Sequence, residues 1–212
     1  MNRRKMQVLI TILFMFVPAI LAAQSTEKIR NRKVVVTEVR VAPGETASMT
    51  DKRPGLIVFL AGNAAEFIPS SGKARRESVT RGGVFFQQAE ERSIKNEGPS
   101  ELRFVRVEFL TGGLDDTWGM SGLSPNYKML MENRYARTYD IKISAQSFEP
   151  QHTHHDRVVI CLSGARLEHI LPNGEKQPST LESGDVAWRL GATHIGHNMG
   201  QTDLWVIAVE PK

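Results

Sequence analysis

Short apolar runs, broken by Gly, Pro, Asn and Ser, recur along most of the chain. VVVTEVRV at 34–41, LIVFLAG at 56–62, GGVFFQQ at 82–88 and LRFVRVEFL at 102–110 are rich in β-branched and aromatic residues. RTYDIKI at 137–143, RVVICLSG at 157–164, GDVAWRL at 184–190 and LWVIAVE at 204–210 take the same places further on. Many short strands at regular spacing predict an all-β sandwich or barrel. Asn173-Gly174 reads as a hairpin turn, since both residues tolerate positive φ. The segment between the halves differs. Residues 111–123 are Gly-rich and irregular, and SPNYKMLMEN at 124–133 predicts one short helix, with Ser124 as N-cap and Pro125 at the first helical position. Met129, Leu130 and Met131 would dock that helix onto its neighbours.

The two sets of runs are copies. A shift of 102 positions lays Asn31-Arg32 on Asn133-Arg134, Gly62 on Gly164, Gly82 on Gly184, Asn96 on Asn198 and Glu108 on Glu210. All six histidines lie in the second copy. The same shift puts Thr50 opposite His152, Lys52 opposite His154 and Arg92 opposite His194. What both copies share belongs to the scaffold. Asn96 and Asn198 are therefore assigned to turns, where asparagine caps its own backbone. What only the second copy has belongs to a site.

Composition narrows the classes. MNRRK, an apolar stretch from Met6 to Ala22 and small residues before QSTEK describe a secretory signal peptide cleaved near Ala23, so a secreted or periplasmic location is expected. The chain carries +4, of which Arg3, Arg4 and Lys5 supply three charges, leaving the remainder near +1. That balance gives no field for nucleic acid or, beyond the signal segment, for a membrane surface. The single cysteine, Cys161, excludes an intrachain disulfide, so each copy must fold on its own core. Inside VVICL it reads as a small buried hydrophobe, not a nucleophile.

Side chains alternate faces along a strand, so His152 and His154 point one way, and potentially Asp156 with them. His194 arrives from a second strand or its bordering loop. Three neutral imidazoles suit Fe, Mn, Ni or Zn, provided their nitrogens converge to roughly 3–4 Å. An arginine pointing into the same pocket would count against a metal, because its charge opposes a dication. His169 reads as a surface residue without a role.

These residues resemble the cupin superfamily. Its second motif, G-x5-P-x-G-x2-H-x3-N, fits Gly184, Gly191, His194 and Asn198, with Arg189 where proline is usual. Its first, G-x5-H-x-H-x(3,4)-E-x6-G, fits His152, His154 and Gly164, but Arg157 stands in the acidic position and the segment is about one residue short. ENRYARTYDIKI and HNMGQTDLWVIAVE resemble small bacterial cupins of the beta-alanine-degradation type. The resemblance implies two tandem jelly-roll barrels in one chain: a barrel without metal ligands at 31–110, a helical linker at 111–132, and a second barrel at 133–212. It implies a divalent transition metal on His152, His154 and His194. The fourth ligand is left open between Asp156, His155 and His197. Arg157 is expected to anchor a substrate carboxylate, and Trp188 to be barrel core or an aromatic ligand wall. A small-molecule ligand and a monomer or homodimer are expected. Any chemistry would be metal-assisted oxygenation, isomerisation or hydrolysis; the competing expectation is a metal-free binding or structural module.

Overall fold

A computed structural model describes residues 23–49, 53–89, 91–112 and 123–212. Residues 1–22, on which the expected signal peptide falls, the Gly-rich stretch 113–122, Thr50 and Lys52 lie outside them. Every regular element among the described residues is a β-strand. In the first half β1 (Gln24–Arg30), β2 (Val34–Val41), β9 (Leu102–Phe109), β4 (Gly55–Phe59) and β7 (Val84–Gln87) form one antiparallel sheet, in that order. β3 (Thr46–Ser48), β8 (Glu91–Asn96), β5 (Asn63–Pro69) and β6 (Arg75–Val79) form a second. The second half repeats the order. β10 (Tyr127–Glu132), β11 (Ala136–Ile143), β18 (Leu204–Pro211), β13 (Arg157–Ser163) and β16 (Val186–Arg189) make the five-stranded sheet. β12 (Phe148–His154), β17 (Ala192–Asn198), β14 (Ala165–Ile170) and β15 (Lys176–Leu181) make the four-stranded one.

The two-residue period of a strand explains the continuous apolar runs. Along β13, Val159 and Cys161 face the four-stranded sheet of their own unit, in a core with Tyr139, Ile141, Leu167 and Val206. Val158, Ile160 and Leu162 face the other way, against Val34, Leu56, Val105 and Val107 of the first half. The five-stranded sheets are thus buried on both faces, and the inner faces of the two halves make one shared core. Glycine admits the closest approach between them: a Cβ on Gly82 would come within 2.5 Å of the Trp205 ring. Cys161 is free and buried, and burial pushes its thiol up to about 11.

One element differs from the sequence expectation. The segment expected as a helix at 124–133 is a strand, β10, antiparallel to β11. Ser124 does cap a turn, its Oγ accepting from Asn126 N at 3.1 Å and its carbonyl from Tyr127 N at 3.0 Å. The turn opens onto an unpaired edge of β11, and edge pairing overrides local helix preference. Met131 packs on the shared core, whereas Met129 and Leu130 are exposed. The stretch 127–132 therefore belongs to the second five-stranded sheet, in the place β1 holds in the first. Asn96 and Asn198 serve the turns as expected: Asn198 Nδ2 donates to Ile143 O and Thr202 O, and Asn96 Nδ2 to Val41 O and Ser100 O.

Replacing Ile160 with Ala empties part of the shared core, and is expected to cost about 2–5 kcal/mol in urea unfolding. Leu130→Ala on exposed β10 is expected to cost well under about 1 kcal/mol. Equal effects at the two positions would contradict the shared core.

Candidate metal centre in the second unit

The second unit is hollow where the first is filled. Phe59 makes edge contacts with Phe67, Phe85 and Phe104, at ring separations of 6.4, 5.5 and 5.8 Å. The positions 102 further on hold Cys161, His169, Ala187 and Val206. Less volume leaves a cavity of about 260 Å³, walled by apolar side chains such as Ile141, Val159 and Leu167. His154, His194, Glu149, Arg157 and Tyr127 converge on it.

β12 supplies His152 and His154 from one face, and β17 places His194 directly opposite His152. All three are buried, and one ligand atom from each lies within 4.8 Å of the others. Two donors on one ion with bonds of about 2.1 Å lie at most about 4.2 Å apart, so the triad stands slightly open. The backbone sets its tautomers. His152 Nδ1 donates to Pro150 O and His154 Nδ1 to His155 O, each at 3.0 Å. Nε2 of both rings is then the bare nitrogen. Desolvation pushes His154 and His194 down to about 3 and lowers His152, so the rings are neutral, the form a metal takes.

The carboxylate beside them is Glu149. By simple alternation, residue 149 faces away from 152. The β12–β17 register shifts between Glu149 and His152, and this bulge turns Glu149 inward. Its Oε2 lies 3.7 Å from His152 Nε2, and its Oε1 has no hydrogen-bond partner. Gly196 stands opposite, where a Cβ would sit 2.8 Å from Oε2. Desolvation raises Glu149 to about 7, against the hydrogen bond from Ser124 and the field of Arg157.

The other sequence-selected residues fall as follows. Arg157 is buried and lines the pocket, its Nη1 donating to the Tyr127 hydroxyl. That hydroxyl lies 3.2 Å from His152 Nε2 and donates to it. Asp156 is absent from the cluster, because its Oδ1 accepts from Gly191 N at 2.7 Å. His197 stacks on exposed Phe148 at 3.8 Å, on the opposite face of β17 from His194. The backbone N–H of His155 donates to Glu210 at 3.1 Å, and its ring is not part of the triad. Trp188 does not wall the pocket: it packs on the core shared by the two halves. His169 is not a surface residue without neighbours. Its ring lies 4.6 Å from that of His194, it lines the pocket, and its Nδ1 is unpartnered. Sequence reasoning missed Glu149, Tyr127 and His169. Only Glu149 left a signal, as an acid three residues before His152, and alternation pointed it the wrong way.

No family model and no curated protein matches the chain. Solved structures do. AerE from Microcystis aeruginosa superposes with a TM-score of 0.67 at 12% identity, over 92% of this chain and 95% of that one. A cupin 2 conserved barrel domain protein from Leptotrichia buccalis gives 0.57 at 12%, over 90% and 89%. Bacillus subtilis oxalate decarboxylase, described with Mn(II) centres, gives 0.59 at 14%, over 89% and 72%. The chain has the cupin fold.

The buried cluster pulls stability in two directions with pH. His154 and His194 lie below their ordinary 6.5, so their contribution is full above pH 6.5 and is lost as pH falls through about 3. Glu149 is raised from 4.5 to about 7, so its contribution is full below pH 4.5 and is lost as pH rises through about 7. Metal-free Glu149→Gln is therefore expected to gain on the parent as pH rises from about 5 to about 8, by about 3 kcal/mol in urea unfolding. A difference that does not change with pH would contradict a buried carboxyl at 149.

Proposed function

We propose that the protein is an exported bicupin whose second barrel holds a divalent transition metal on His152, His154, His194 and Glu149, and acts on a small organic molecule. The observation that carries this reading is the buried triad, in which backbone carbonyls hold Nδ1 of His152 and His154 and leave Nε2 of both rings unprotonated, beside a carboxyl oxygen without a partner. Outer hydrogen bonds of that kind orient metal-binding imidazoles. The donors suit Mn, Fe, Ni or Zn, and the Mn(II) centres of the similar oxalate decarboxylase agree. A bound dication would lower the Glu149 carboxyl and offset the cost of its burial. When bound, the ion supplies a Lewis acid or an oxygen-binding centre. Around it, Tyr127 holds a proton on its hydroxyl, Arg157 fixes that hydroxyl, and the apolar wall excludes water. The apolar stretch 6–22 and Ala22-Ala23 support export.

Two observations favour a metal-free binding module instead. Arg157 lines the same pocket, and its charge opposes a dication. Tyr127 already fills the lone pair of His152 Nε2. Metal analysis separates the two readings. Protein made in medium supplemented with Mn, Fe, Ni and Zn is expected to hold about one ion per chain. The His152→Ala/His194→Ala double variant is expected to hold none, and Glu149→Gln to bind at least about tenfold more weakly. A folded parent that takes up no metal overturns the proposal.

A further inference from the structure

β13 and β16 pair so that Arg157 stands directly opposite Arg189. Like charges in that relation repel, and both side chains line the pocket. Among the described residues neither forms an ion pair. Arg157 is 8% exposed, gives Nη1 to the neutral Tyr127 hydroxyl and leaves Nε without a partner. Arg189, exposed at the mouth, reaches only Ser179 Oγ at 3.5 Å. Glu149 and Glu210 lie close enough for Arg157 to lower both, but neither is within ion-pair distance of it. A buried guanidinium without a counterion is costly, and a second one opposite adds to the cost. Apart from the cluster of Glu149, His154, His169, His194 and Tyr127, the rest of the wall is apolar, including Ile141, Ile143, Leu167, Leu181 and the exposed Leu190 at the rim, with neutral Gln177 and Ser179 among it.

We infer that this pocket takes a small amphipathic monocarboxylate, its carboxylate held between Arg157 and Arg189 and its hydrocarbon body against the leucine and isoleucine wall. The inference rests on reading the cavity as the small-molecule site, and names the class of that molecule. A forked guanidinium matches a carboxylate in shape and charge. The apolar part of the wall selects against a second charge on the hydrocarbon body, which would be buried there without a partner. About 260 Å³ is at or below the small end of ligand pockets, which excludes polymers and large cofactors.

Calorimetric titration of metal-stripped and Mn(II)-loaded protein with butyrate, hexanoate, hexan-1-ol and succinate tests it. Hexanoate is expected to bind one per chain, about fourfold tighter for each methylene added from butyrate. Hexan-1-ol and succinate are expected to be at least about tenfold weaker. Arg157→Gln is expected to lose about tenfold or more of the hexanoate affinity. Arg189→Gln, at an exposed position that folding tolerates, keeps the test sharp if the buried variant fails to fold, and is expected to lose several-fold. Hexan-1-ol matching hexanoate, both arginine variants binding like the parent, or no hexanoate bound to either form overturns the inference. Metal content of the same samples keeps the two questions apart. Protein that holds Mn(II) but ignores hexanoate refutes the carboxylate and leaves the metal. Protein that binds hexanoate without retaining metal does the reverse.

Discussion

The central strands of each five-stranded sheet have two apolar faces, and among the described residues no helix covers either. The two sheets therefore cover one another, and the site depends on that stacking. Val158, Ile160 and Leu162 are committed to the shared core. The alternate residues of the same strand, Arg157, Val159 and Cys161, are thereby turned toward the interior of the second unit. The direction of Arg157 follows from what lies on the far side of its strand. The first unit supplies the surface against which the pocket-bearing sheet is held, and needs no site of its own to do so.

That division of labour is visible in the interiors. The first unit fills its space with four phenylalanines in edge contact, the dense packing a stable core requires. At the matching places the second has smaller side chains, a cavity and five buried polar groups: Glu149, His152, His154, Arg157 and His194. These five lie together around one cavity, which is the pattern of a functional site. The groups are not scattered defects. Backbone carbonyls of Pro150 and His155 fix two rings, Tyr127 joins one ring to Arg157, and the remaining bare atoms face a common space.

Much of this could be read in the sequence. The strands β2, β4, β7, β9 and their copies follow from β-branched runs between turn residues, and the repeat separates the turn asparagines from the site histidines. His152 and His154 share a face by alternation alone. Two kinds of information were out of reach. Pairing decides whether YKMLME is a strand or a helix: β11 follows it at once, but the edge it offers is set by β18, remote in sequence, which takes the other edge. Register decides which acid joins the histidines. Asp156 fits alternation and Glu149 does not, yet the irregularity after Glu149 brings that residue in, while Asp156 is held by Gly191 N. Trp188 shows the same blindness on the other side of the sheet: nothing local distinguishes a residue facing a cavity from one facing a neighbouring unit.

The bulge between Glu149 and His152 carries a consequence for how such a site diverges. The acid enters the donor set through one extra residue of strand length, around Pro150 and Gln151. Losing the bulge while keeping all of its residues would restore plain alternation across the odd spacing and swing the carboxylate outward. Three neutral nitrogens would remain, with the net charge of the donor set raised by one and every donor side chain unchanged in identity. Strand geometry, and not side-chain identity alone, thus decides whether the cluster carries a carboxylate.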